Sequence, residues 1–185
     1  MIRATVSAAA VAALIAATAG CGGKGDSGPK RAPSREAFGV ELGTTGKADV
    51  QARLEAQGYE CSDKSARVQA RLSCVEPGAG NARKLFVFLE HAAPVALASH
   101  QRSHDRAADG LADFTATVER IQNTYGGPTS SERVPPPGAP LPLNQKVVVL
   151  WEFADLVVEL DAISVGTRVN VIEQYRSPRA TGDSH

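Results

Sequence analysis

From position 66 to 75 the chain alternates one for one. Val68, Ala70, Leu72 and Cys74 fall on one side; Arg67, Gln69, Arg71 and Ser73 fall on the other. Successive side chains of a strand point to opposite faces, so this period of two predicts a half-buried strand in an antiparallel sheet. Further β-forming runs surround it at 59–62, 85–90 and 95–101, with a Pro-Gly-Ala-Gly-Asn turn at 77–81. Three more runs, at 146–153, 156–162 and 168–175, read as a second meander, turning first at Ala154-Asp155.

Two stretches are spaced for helices instead. Thr44 or Thr45 can cap the first, Asp49 favours its opening turn, Val50 and Leu54 share a face, and Gly58 ends it after Gln57. The second is expected over 109–124. Phe114, Val118, Ile121 and Tyr125 form one apolar stripe, and Gly126, Gly127 and Pro128 stop the helix. A strand is expected over 38–43 and a proline-rich extended loop over 134–143. Trp151 and Phe153 are expected to pack on the helices. Antiparallel meanders with two helices on one face make an α+β fold. Helix-plus-strands occurs twice, each helix ending with an aromatic beside a glycine (Gly58-Tyr59, then Tyr125-Gly126), which suggests a duplicated unit.

The N-terminus constrains location. Arg3 is the single charge before Cys21, and the apolar run at 8–17 is shorter than the ~20 residues that a membrane-spanning helix needs. That length fits a secretory signal peptide over 1–20. Thr18-Ala19-Gly20-Cys21 resembles the lipobox of bacterial lipoproteins, with small residues before an obligatory cysteine, although Thr18 stands where leucine is usual. The resemblance implies cleavage before Cys21 and lipid on its sulfur. Several acyl chains anchor durably, because each buried methylene adds ~0.8 kcal/mol. Gly22, rather than aspartate, leans towards the outer membrane over the inner. Residues 21–36 are expected to form a flexible, lipidated tether, 37–176 one domain, and 177–185 a loose tail.

With Cys21 assigned to lipid, Cys61 and Cys74 remain. Parity and an oxidising compartment favour a disulfide between them over two buried thiols. Lysines and arginines equal aspartates and glutamates at 20 each, which argues against phosphate-driven binding to nucleic acid.

Phe38-Gly39-Val40-Glu41-Leu42-Gly43-Thr44, then Tyr125-Gly126-Gly127-Pro128 with Trp151-Glu152-Phe153, resemble segments of the small envelope domains of the SmpA/OmlA (BamE-like) family and of the β-lactamase-inhibitor-protein fold. The resemblance covers roughly 37–176 as a pattern. It implies a binding role: support of outer-membrane assembly in one branch, inhibition of an enzyme in another. The proline-rich loop and the Cys61/Cys74 pair lie outside that pattern.

Several motifs mimic chemistry and fall short. Gly25-Asp26-Ser27-Gly28 spells a serine-protease nucleophile motif but lies in the tether, without a scaffold to hold a triad. Gly43 to Ala48 imitates a phosphate loop, yet Glu41 stands where the first glycine belongs and Ala48 where a hydroxyl belongs. His100-Gln101-Arg102-Ser103-His104 has zincin spacing with Gln101 in place of the general base. On a strand running into a loop, the two histidines would share a face about 13 Å apart. A metal would therefore need further ligands such as His91 or Asp105. Glu152, Glu159 and Asp161 could pair for acid–base work or form a solvated strand face. Arg67 and Arg71 could meet an acidic partner.

No catalytic residue, cofactor or metal ligand is assigned from these features. The expected function is a non-enzymatic binding module in the cell envelope, held to the membrane through Cys21 and meeting a protein partner. The alternatives are a small hydrolase using Glu152 and Glu159, or a metal-binding lipoprotein using His100 and His104.

Overall fold

The computed structural model describes residues 29–65, 70–79, 82–89, 95–136 and 138–178. Residues 1–20, expected to be a signal peptide, Cys21, the Gly25–Gly28 motif, Arg67, His91 and residues 179–185 lie outside the described residues.

The chain enters through two very short strands, β1 (Glu36–Ala37) and β2 (Val40–Glu41), with Ala37 opposite Val40. A continuous strand over 38–43 does not form. The backbone reverses at Phe38 and Gly39, both at positive φ (54° and 76°), as in the primed two-residue hairpin turns. Helix α1 (Lys47–Ala56) then starts after Gly46, without a side-chain cap. Thr44 and Thr45 do not cap it. Gly43 N–H donates to the Val95 carbonyl (2.9 Å), and the Thr45 carbonyl accepts from Val95 N–H (3.0 Å), so this segment is tied to the sheet instead. Gly58, at φ 90°, ends the helix as expected.

Two four-stranded meanders follow. The first is β3 (Glu60–Asp63), β4 (Ala70–Val75), β5 (Arg83–Leu89) and β6 (Val95–His104). Helix α2 (Ala107–Tyr125) leads to the second: β7 (Ser130–Glu132), β8 (Lys146–Glu152), β9 (Val157–Val165) and β10 (Arg168–Arg176). They join through β6 and β10 into one eight-stranded sheet of order β3-β4-β5-β6-β10-β9-β8-β7, antiparallel throughout. The fold is α+β but dominated by strands. Helix α1 packs on β3 and β4, while α2 packs on β10, β6 and β9. Strand β7 was hidden in the sequence because Ser130, Ser131 and Glu132 are all exposed and carry no apolar alternation.

The alternation read in the sequence is the burial pattern of the sheet. Leu72 and Cys74, Leu85 and Val87, Val147 and Val149, Val158 and Leu160, and Val169 and Val171 are all buried. They form one core with Val50 and Leu54 of α1 and Phe114 and Ile121 of α2. Part of the segment expected to be a tether joins the fold: the Lys30 carbonyl accepts from Ala154 N–H (2.9 Å) and Ala32 N–H donates to Asp155 Oδ1 (2.8 Å). The segment expected to be a tether is therefore docked on the β8–β9 turn from about Lys30.

Cys61 and Cys74 stand opposite each other in the β3–β4 register and are disulfide-bonded, with Cα atoms 4.0 Å apart. In the loop-closure picture a bridge this short in sequence contributes about 3 kcal/mol. It tethers an edge strand that has little apolar surface of its own, since β3 is mostly exposed.

Helix α2 approaches the sheet most closely at Gly110, where an added Cβ would lie 2.3 Å from Val169 Cβ. Alanine is the better helix former by about 1 kcal/mol, but the overlap is with a buried strand side chain. Gly110→Ala is therefore predicted to destabilise by about 1–3 kcal/mol. In a Val169→Ala background the same change should cost far less. Equal losses in both backgrounds, by urea denaturation, would refute the contact as the cause.

Candidate functional site

At the centre of the sheet, where β6 meets β10, the buried face is polar. Arg102 is 7% exposed and nearly all its donors are placed. Nε donates to Asp113 Oδ2 (2.8 Å), Nη2 to Thr117 Oγ1 (2.8 Å) and Nη1 to Glu173 Oε2 (3.2 Å). Glu173, 1% exposed, also accepts from Arg120 Nη2 (2.6 Å) and, at Oε1, from the Tyr175 hydroxyl (2.7 Å). Burial, with the Glu173 charge beside it, pushes the Tyr175 phenol well above its ordinary range. Burial opposes ionisation of Asp113, but Arg102 and His104 outweigh it and hold its carboxyl below the usual range. A buried carboxylate persists only when donors surround it, and Glu173 has three.

The two histidines singled out in the sequence both belong to this network, and strand β6 continues through His104 instead of giving way to a loop after Gln101. His104 Nε2 lies 2.8 Å from Asp113 Oδ2. His100 Nδ1 lies 3.2 Å from Arg102 Nη1, which can only donate, so Nδ1 accepts and the proton sits on Nε2. Asp105 is highly exposed and pairs with Arg168 (3.3 Å). Among the described residues no group of three or more His, Cys, Asp or Glu is placed to hold a metal ion.

Burial, followed by the Arg102 charge, pulls His100 down to about 4. Its folded value lies below its unfolded one, so its contribution to stability is present above about pH 6.5 and is lost as pH falls through 4. A drop of this size corresponds to roughly 3 kcal/mol. Asp161 acts in the opposite direction. Burial raises it to about 6 despite the Lys146 ammonium, with Glu159 adding to the rise. Its contribution is therefore fully present near pH 4 and is lost as pH rises through 6. Wild-type protein should lose stability only modestly between pH 6.5 and 4.5, because the two effects oppose. Asp161→Asn should make the loss steeper and His100→Asn should turn it into a gain. Urea midpoints at the two pH values check this, and identical slopes for the three proteins would contradict it.

The carboxylates Glu152, Glu159 and Asp161 lie on the other face of the sheet. Lys146 Nζ bridges Glu159 (3.1 Å) and Asp161 (2.8 Å), and Arg176 lies 3.6 Å from Glu159. Glu159 and Asp161 are thus neutralised by cations within the sheet, while Glu152 is exposed at the end of β8. Arg71 lies on the same face at the far side, its guanidinium 5.6 and 5.8 Å from the ring centres of Phe86 and Phe88. No ion pair to it is found among the described residues, and its buried Nε has no hydrogen-bond partner. Between these clusters run half-buried Phe86, Phe88, Leu97, Ile172, Ile163 and Leu150. Strand register puts Arg71, Phe88, Leu97, Arg176 and Val157 in one row across this face.

Glycines 43 and 46 serve a turn and a helix start, as expected of an incomplete phosphate loop. The proline-rich loop is anchored by Leu141, 8% exposed, and by Asn144 N–H donating to the Ser164 carbonyl (2.7 Å). Leu143 (57%) and Val165 (55%) remain exposed. No helix among the described residues is long and apolar enough to cross a membrane.

Sequence reasoning missed Arg102, Asp113, Thr117, Arg120 and Glu173. One signal was legible: Glu173 interrupts the apolar alternation Val169, Val171, Tyr175, placing a charge on a face that otherwise reads as core.

No family model matches this chain, nor does any curated protein or solved structure.

Proposed function

We propose that this protein is a lipid-anchored binding module of the bacterial cell envelope, and that it meets a protein partner through the uncovered face of its sheet. The observation that carries this reading is the asymmetry of the sheet. One face bears both helices and the core; the other carries half-exposed aromatic and aliphatic side chains between Arg71 at one end and the Glu159–Asp161–Lys146 cluster at the other. Protein interfaces combine such an apolar centre with a charged rim. The mirrored order of the two meanders about the β6–β10 seam also supports descent from a duplicated helix-plus-strands unit.

The anchor would be lipid on Cys21 after removal of residues 1–20, at the outer membrane by the Gly22 criterion. Intact mass of protein taken from membranes tests this half: residues 21–185 plus acyl chains is expected, and Cys21→Ser should abolish lipid. A photo-crosslinking residue at Phe88 tests the other half in intact cells. A discrete adduct is expected there and not from Glu119, an exposed position on α2. Equal labelling from both positions would remove the open face from the reading.

A further inference from the structure

Two charges of opposite sign are left without an ion pair on the open face, and their placement is symmetric. Arg71 of β4 rests against the rings of Phe86 and Phe88 and has no carboxylate partner among the described residues. Glu152 of β8 is exposed and has no cation partner among the described residues. Both stand on the third strand out from the β6–β10 seam, one on each side of it. The strand registers place them in one row, Arg71–Phe88–Leu97–Arg176–Val157–Glu152. The two unpaired charges are therefore equally far from the middle of the face.

That arrangement is complementary to itself. Two sheets packed face to face lie about 10 Å apart, with their strands aligned to within roughly 30°. A twofold axis between two aligned faces can run across the strands or along them. Across the strands, each strand lies over its own copy, and Arg71 stays on the opposite side of the face from Glu152. Along the strands at the seam, β4 lies over β8 and β5 over β9. Arg71 then faces Glu152 of the second copy, Phe88 faces Val157, and Val75 faces Val148. Glu60 and Glu132 meet at the outer rim, where both are exposed and salt screens them.

The path of the chain selects the same axis. Lys30 and Ala32 are bonded to the β8–β9 turn, at one end of the strands. A twofold along the strands keeps that end of both copies on one side, so both chains leading from Cys21 reach one membrane. A twofold across the strands points them in opposite directions.

Resting on the reading of the open face as a protein-binding surface, we propose that its partner is a second copy of this chain. The two copies join about a twofold axis along the β6–β10 seam, with Arg71 of each paired to Glu152 of the other. The same patch is used by both copies, so association closes at the dimer.

The test is sedimentation equilibrium of the mature chain carrying Cys21→Ser, which removes lipid as a cause of association. A monomer–dimer equilibrium is expected between roughly 1 and 300 µM. Arg71→Glu and Glu152→Arg each set like charges against one another and should weaken the dimer by at least about tenfold. Mixed in equal amounts, the two variants should recover it, because each meets the opposite charge on the other. Glu152→Arg, at an exposed strand end, carries the test alone if circular dichroism shows Arg71→Glu to be misfolded. The inference is overturned if the wild type stays monomeric, if the charge variants dimerise as it does, or if the folded mixture stays monomeric. A monomeric wild type whose Phe88 position still crosslinks to a different protein would overturn the second copy and leave the open-face reading standing. No adduct at Phe88 would remove both.

Discussion

Replacing Trp151 with alanine should lower the unfolding free energy by about 3–5 kcal/mol, the range for truncating a large buried aromatic. Trp151 is fully buried in β8, opposite Val158 of β9. Its indole N–H donates to the carbonyl of Gly126 (2.9 Å), the residue that terminates α2. The substitution therefore opens a cavity and also frees a helix-end carbonyl that has few other partners. Trp151→Phe separates the two effects. It keeps most of the volume and loses the hydrogen bond, so a smaller loss of about 1–2 kcal/mol is expected. The chain has a single tryptophan, so unfolding of these variants must be followed by circular dichroism and not by fluorescence. A loss below about 1 kcal/mol for Trp151→Ala would mean that β8 does not carry the helix end as described.

Arg102→Ala is expected to be comparably severe, again about 3–5 kcal/mol, for an electrostatic reason. The guanidinium is the hub between Asp113, Thr117, Glu173 and His100. Its removal leaves Glu173 buried with one cation fewer and Asp113 without its strongest donor. Breaking a buried pair costs more than the pair itself is worth, because the remaining charge stays desolvated. Glu173→Gln should accordingly cost less in the Arg102→Ala background than in wild type, with a coupling of about 0.5–3 kcal/mol in a double-mutant cycle. Strictly additive losses would show that the two residues do not act as one unit. The tryptophan remains in these variants, so its fluorescence can report their unfolding.

Local patterning carried most of the element assignments because each rests on a short-range rule. Period two placed β4, and three β-forming runs placed β8, β9 and β10. Stripes and glycines placed both helices, with α2 running from Ala107 instead of 109. Failures came where tertiary bonding chose between local options. Thr45 could have capped a helix, but its carbonyl was recruited by Val95. Phe38 stands at positive φ, which its own preferences disfavour, in a turn where its ring packs against His100 and Tyr175 (5.3 and 5.4 Å).

The candidate sites show the same division. His100 and His104 could be named from their spacing, but their partners could not. A hydrogen bond between β6 and β10 joins residues 71 positions apart, and only sheet register puts them side by side. Strand β6 reads as polar on both faces after Ala98, so which face is buried is decided by β5 and β10 and not by β6 itself.

The sequence by itself determined the alternating strands, the two helical stripes and the cysteine pair, since these depend on neighbours within a few residues. Only the tertiary structure decided the joining of the meanders through β6 and β10, the polar centre built on Arg102 and Glu173, and the covering of one sheet face but not the other. Those outcomes depend on contacts between distant segments, where the burial of one charge is tolerable only because another segment delivers its partner.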